Sequence, residues 1–264
     1  MSSRKMSTAR LGVFRLEARE NPSGNVAVSF GEVLELRGDD AGNNVLITQD
    51  TGGLTVEGLN GTRVNGQTVV RSGALPEKVD IKLFGGDDTL TTVGLRAAVD
   101  INVEMDQGRD TVDLFDTAAG VNLTIKTGDG FDTVSASGLR TGGDLFIETG
   151  EGRSAVSVSG SSVGKSLTVI GGLSVDRVAV SATTTQEDLN VETKEGDDRV
   201  DLTDVTSRKN IKVDVGTGND TVAVTRVFAA SDAVFLGGDG FDTFIDRGVS
   251  GGEKLEIKEF NRFI

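Results

Sequence analysis

The chain contains no Cys, His, Trp or Tyr and only 2 Pro among its 264 residues. Each absence excludes something. Without Cys no disulfide framework exists, and cysteine usage assigns no redox compartment. Without His there is no imidazole base, and the usual zinc ligands are missing. Phe is the sole aromatic, so the Trp and Tyr platforms common in sugar and nucleic-acid sites are absent. No segment approaches about 18 consecutive apolar residues, so no transmembrane segment is expected. The run from Leu11 to Leu16 is too short for a secretory h-region and is broken by Arg15, so no conventional signal peptide is expected.

What is present is glycine and negative charge: 36 Gly and a net charge of −14. Residues 1–24 carry Arg4, Lys5, Arg10, Arg15 and Arg19 against Glu17 and Glu20, a balance of +3, which leaves −17 on the remainder. Such an acidic body repels nucleic acid and attracts cations. The same charge also serves simply to keep a Gly-rich β protein soluble.

A string of the form Gly-x-Asp-Thr-Val recurs along the chain. It is Gly86-Asp87-Asp88-Thr89-Leu90, then Gly108-Arg109-Asp110-Thr111-Val112, then Gly130-Phe131-Asp132-Thr133-Val134. Ser154 holds the place in a degenerate copy, and the column resumes at Asp176, Asp198, Asp220 and Asp242 with an unbroken period of 22. Val79, Ile101, Leu123, Leu145, Leu167, Leu189 and Ile211 recur in the same register, each with an apolar residue two places on. Apolar residues at period two make a short strand with one buried face. Val112 with Leu114 and Val200 with Leu202 make a second strand after each Asp-Thr, and a patchier column (Leu95, Leu139, Val205, Val227, Val249) suggests a third.

A 22-residue unit of this kind cannot bury its apolar face alone, but stacked on its neighbours it builds a continuous core, with equivalent residues about 4.8 Å apart. The expected fold is therefore all-β: a single-domain parallel β-solenoid, right-handed β-helix or β-roll-like, of about ten 22-residue coils. The expected organisation is a flexible basic tail over 1–24, the solenoid over 25–257 and a C-terminal cap over 258–264, with Phe260, Phe263 and Ile264 closing the end of the core. Leu34 and Val45 are expected to open a first coil, and Leu54 through Gly66 a looser second one. Lys82, Glu104, Lys126 and Glu148 occupy one outward position in successive coils, and stacking would make them weak surface pairs.

The Gly-Asp turn is the strongest chemical signal. Gly237-Gly238-Asp239-Gly240-Phe241-Asp242-Thr243-Phe244-Ile245 resembles the calcium-binding nonapeptide of the hemolysin-type (RTX) repeat family, and the stretches 128–134 and 216–222 are close variants. The resemblance implies Ca²⁺ between stacked turns, held by Asp carboxylates and by carbonyls that the glycines leave exposed. Carried onto this chain, it marks Asp88, Asp110, Asp129, Asp132, Asp198, Asp220, Asp239 and Asp242 as candidate metal ligands. The chain departs from that family by having one such turn per 22 residues instead of two per coil, so only one edge is expected to bind metal. Carboxylates stacked 4.8 Å apart repel by roughly 0.9 kcal/mol in water and about 3.5 kcal/mol at an effective dielectric near 20. A cation relieves that repulsion, and so do hydrogen bonds from turn N–H groups, with Asp acting as a metal-free turn-former. Ser154 should split any metal ladder into a stretch through Asp132 and another from Asp198.

The Thr column (Thr89, Thr111, Thr133, Thr221, Thr243), interrupted by Ala155, Arg177 and Arg199, reads as a solvent-facing strand position. Leu16 to Pro22 looks like a short motif near the start of exported bacterial repeat proteins. These features lead to the expectation of a non-enzymatic extracellular or cell-surface scaffold, structural or adhesive. Its expected partners are calcium ions and cell-surface or matrix components, not nucleic acid. The alternatives are a metal-free β-helix scaffold and a β-helix polysaccharide lyase or hydrolase. The last lacks inserted loops after residue 79, and a groove with clustered Arg and Asp at one coil would favour it.

Overall fold

The computed structural model describes residues 24–73 and 75–264, so the basic segment expected over residues 1–24 lies almost wholly outside the described residues. Those residues contain strands and turns and no α-helix, and thus no helix long and apolar enough to cross a membrane. The protein is a parallel β-solenoid. One sheet runs through Val33–Arg37, Lys78–Lys82, Ile101–Glu104 and on to Lys254–Lys258, and every neighbour along that series is parallel. Ile101 pairs with Leu123 and Val103 with Ile125, so the repeat period fixes the register directly. A second sheet stacks Asn44–Asp50, Thr89–Val93, Thr111–Phe115 and their successors.

Coils in the middle of the rod add a third, very short strand such as Ala118–Ala119 after a corner residue with positive φ such as Asp116 at 48°, and in later coils the two merge into one strand, as in Arg199–Ser207 with its corner at Asp204 at 55°. Alternation does the sorting between core and solvent. Ile101, Val103, Val112 and Leu114 are fully buried, while the residues between them face outward or are half-buried. Burying each such branched side chain is worth about 1.5–3 kcal/mol relative to leaving it exposed, and the stack repeats this in every coil. The outward charges pair as their positions imply, Lys82 with Glu104 at 2.6 Å and Lys126 with Glu148 at 3.0 Å. These exposed pairs contribute little and mainly favour the register.

The number of turns is about eight, fewer than the period alone suggests, because residues 53–72 are not a coil. Leu34 pairs with Val79 and Val45 with Leu90, so the first coil stacks directly on the coil that starts at Val79. The intervening Gly53–Gly58 and Val69–Ser72 fold back as antiparallel strands on the edge of the second sheet, with Ile47 opposite Val56. Asn25–Ser29 lies antiparallel on Val33–Arg37 in the same way. Leu54, Val56 and Val64 are buried there, and their period-two spacing imitates a coil. At the other end Arg262–Phe263 pairs with Thr243 and Phe244. Phe260 packs edge-on against Phe244 with ring centroids 5.1 Å apart, whereas Phe263 stays mostly exposed.

Candidate functional site: the stacked aspartate turn

Each turn joins a strand of the first sheet to one of the second. Its backbone passes through left-handed conformations, as at Asp106 with φ of 78° and Gly238 with φ of 78°. The turns stack backbone on backbone. A Cβ added at Gly240 would stand 1.5 Å from the carbonyl oxygen of Gly218, which is why that place in the motif requires glycine.

The repeated spacing of the turn separates two kinds of carboxylate. Asp88, Asp110, Asp132, Asp198, Asp220 and Asp242 point inward and are at most 2% exposed. Asp129 and Asp239 lie on the exposed rim of the turn, where Gln107 pairs with Asp129 and Thr217 with Asp239. The stack therefore does not bring the eight expected ligands into one shell.

The inward column is a hydrogen-bond ladder. The backbone N–H of Asp88 donates to Oδ1 of Asp110 at 2.8 Å, and that of Asp110 to Asp132 at 2.9 Å. The N–H groups of Asp176, Asp198 and Asp220 donate to Asp198, Asp220 and Asp242 at 2.7, 2.7 and 2.8 Å. Amides terminate the column: Asn43 donates to Asp88 at 2.6 Å, and Asp242 donates to Oδ1 of Asn261 at 2.7 Å. At the degenerate coil Ser154 is too short to continue it. The N–H of Asp132 goes instead to the carbonyl of Arg153 at 3.2 Å, and the Ser154 hydroxyl donates to Oδ1 of Asp176 at 2.8 Å.

The second oxygens tell a different story. Oδ2 of Asp88, Asp110, Asp132, Asp198, Asp220 and Asp242 is buried without a hydrogen-bond partner. Burial without compensation disfavours a charge. Burial accordingly pushes Asp88 up to about 8, Asp110 and Asp220 to about 7 and Asp198 to about 6, and raises Asp132 and Asp242 as well. The N–H donated from the preceding coil opposes the shift in every one of these turns.

This geometry does not suit Ca²⁺, which takes six to eight oxygen ligands. Oδ1 of each inner Asp is already engaged by the neighbouring coil, and Oδ2 is sealed from solvent. On the rim, Oδ1 of Asp129 accepts the N–H of Glu151 at 3.2 Å. Among the described residues no group of three or more acidic side chains is arranged to hold a metal ion. Asp176 belongs to the ladder although its turn lacks the Gly-x-Asp string. Its Oδ2 accepts the Gly172 N–H at 2.8 Å. The inward aim of the whole column has a sequence signal: Asp110, Val112 and Leu114 share one parity, hence one face of the strand. No family model, curated protein or solved structure matches the chain.

Proposed function

We propose that the chain is a non-enzymatic scaffold at the cell exterior, a rod that presents long flat β-faces to cell-surface or matrix components and that folds without calcium. The observation that carries this reading is the uninterrupted coil register from Val79 onward, closed by a ladder in which each inner Asp satisfies a backbone N–H of its neighbour. No inserted loop walls off a cleft along that stretch. The exterior location is supported by the likeness of residues 16–22 to exported repeat proteins and of residues 237–245 to the RTX nonapeptide.

The test is far-UV circular dichroism and thermal melting of EDTA-stripped protein, titrated with Ca²⁺ and with Mg²⁺ as control. A folded β spectrum and a melting temperature unmoved by millimolar Ca²⁺ are expected. A calcium-specific rise would overturn the metal-free reading and restore the calcium ladder, because an ion that binds only the folded state must raise its stability. A polysaccharide lyase or hydrolase is the second reading, favoured by one observation: Arg109, Arg153 and Arg177 gather around the turn of Asp132.

A further inference from the structure

One place on the rod breaks its own repeat on the outside. The residue before each ladder position faces outward, and before Asp110, Asp132 and Ser154 it is Arg109, Phe131 and Arg153. The residues after Asp132, Ser154 and Asp176 are Thr133, Ala155 and Arg177, in parallel register. Small residues at 133 and 155 leave a depression between the two rows. The result is an open cleft of about 220 Å³ walled by Arg109, Phe131, Arg153 and Arg177.

Two features mark it. First, three arginines line one cleft, and among the described residues none forms an ion pair with Arg109, Arg153 or Arg177, in a chain with 41 acidic against 27 basic residues. Arg199, the next residue in the row of Arg177, is by contrast held by Asp201 at 2.6 Å. Second, Phe131 is 64% exposed in the coil between those of Arg109 and Arg153, an apolar surface that folding does not use. Phe241 is similarly exposed in an equivalent turn, but its neighbour in the preceding coil is Asn219, where Phe131 has Arg109.

We propose that this cleft binds an acidic sugar unit, a ring bearing a carboxylate, with the arginines gripping the acid group and Phe131 covering the apolar face of the ring. Guanidinium forks match carboxylates bidentately, and aromatic rings pack on apolar surfaces. The narrow basic strip sits in an acidic body that repels long polyanions such as nucleic acid, which favours a small acid group over an extended phosphate backbone. Asp132 lies beneath the cleft but is 2% exposed with Oδ1 bonded to the N–H of Asp110, so its carboxyl braces the floor and does not reach the ligand. The inference gives the scaffold reading a partner chemistry, yet it stands on the cleft alone.

The test is calorimetric titration of the full chain at low salt with a uronic-acid tetramer, a neutral glucose tetramer and sodium sulfate. Binding of the uronate should exceed that of the neutral oligomer and of sulfate, and Arg153→Gln and Arg177→Gln should each weaken it about tenfold. Phe131→Ala should remove the preference over sulfate, whereas Arg140→Gln and Phe241→Ala should change nothing, with circular dichroism confirming the fold of every variant. Equal binding of sulfate and uronate, unchanged binding in the arginine variants, or no uronate binding would each overturn the proposal. Turnover of the bound tetramer would overturn the scaffold reading and leave the binding site standing.

Discussion

The turns at Asp110 and Asp176 place the same carboxylate at the same point of the coil, but their surroundings treat it differently. In both, Oδ1 receives an N–H from the preceding coil, Asp88 in one case and Ser154 in the other. At Asp110 the residue five places earlier is Met105, and Oδ2 has no partner. At Asp176 that residue is Gly171, and Oδ2 accepts the N–H of Gly172. A Cβ at position 171 would stand 2.3 Å from that oxygen. Burial raises both carboxyls, but the Gly172 N–H and the Ser154 hydroxyl and N–H pull Asp176 back toward its ionised form. The comparison shows that the ladder requires only one oxygen of each Asp, and that what faces the other oxygen decides whether a buried charge is tolerated.

The largest way to break the contrast is Gly171→Ala. It should displace Asp176 from Gly172 and strand a carboxylate, lowering stability by about 3 kcal/mol in urea unfolding. Next comes Asp110→Ala, which leaves the buried N–H of Asp88 without an acceptor and should cost about 1–3 kcal/mol by the same measurement.

Asp110→Asn sharpens the comparison instead, since it keeps the acceptor oxygen and removes the charge. The fold holds protons on Asp88, Asp110, Asp198 and Asp220 that the unfolded chain has already released, so stability should be greatest near about pH 4 and fall as pH rises toward about 8. Thermal melts across that range should show the decline in the wild type. Asp110→Asn should match it near pH 4 and melt higher at pH 8, and an unchanged slope would refute the protonated ladder. The smallest effect is expected from Ser154→Asn. An amide oxygen there can accept the Asp132 N–H, as Asn261 does for Asp242, with a gain of up to about 1 kcal/mol in denaturant midpoint.

The coil period, the apolar columns, the register and the Lys82–Glu104 and Lys126–Glu148 pairs were legible in the sequence because each follows from a fixed spacing of 22. The hairpin over residues 53–72 was not. Leu54 and Val56 alternate as a coil strand would, and only the direction of pairing, which alternation does not encode, distinguishes the two. The inward aim of the aspartates was available from their parity with Val112 and Leu114, but Gly-x-Asp reads first as a polar turn. The arginine cleft was hidden for another reason. Arg109, Arg153 and Arg177 belong to two different columns, and a reading by column presents them as separate irregularities.

The antiparallel strands Asn25–Ser29 and Gly53–Gly58 bear on how copies of the protein meet one another. A stack of parallel strands ends in an unpaired edge onto which another molecule can add, and repeated addition makes a fibre. At this end Asn25–Ser29 reverses the first sheet, and Gly53–Gly58 reverses the second with only the four-residue Val69–Ser72 outside it, so an incoming coil finds no full-length parallel edge to extend. Polymerisation through that edge would first require peeling the hairpin away and exposing Leu54, Val56 and Val64 to water. The hairpin is thus a built-in chain terminator for self-assembly, made from the same kind of strand as the rod it stops.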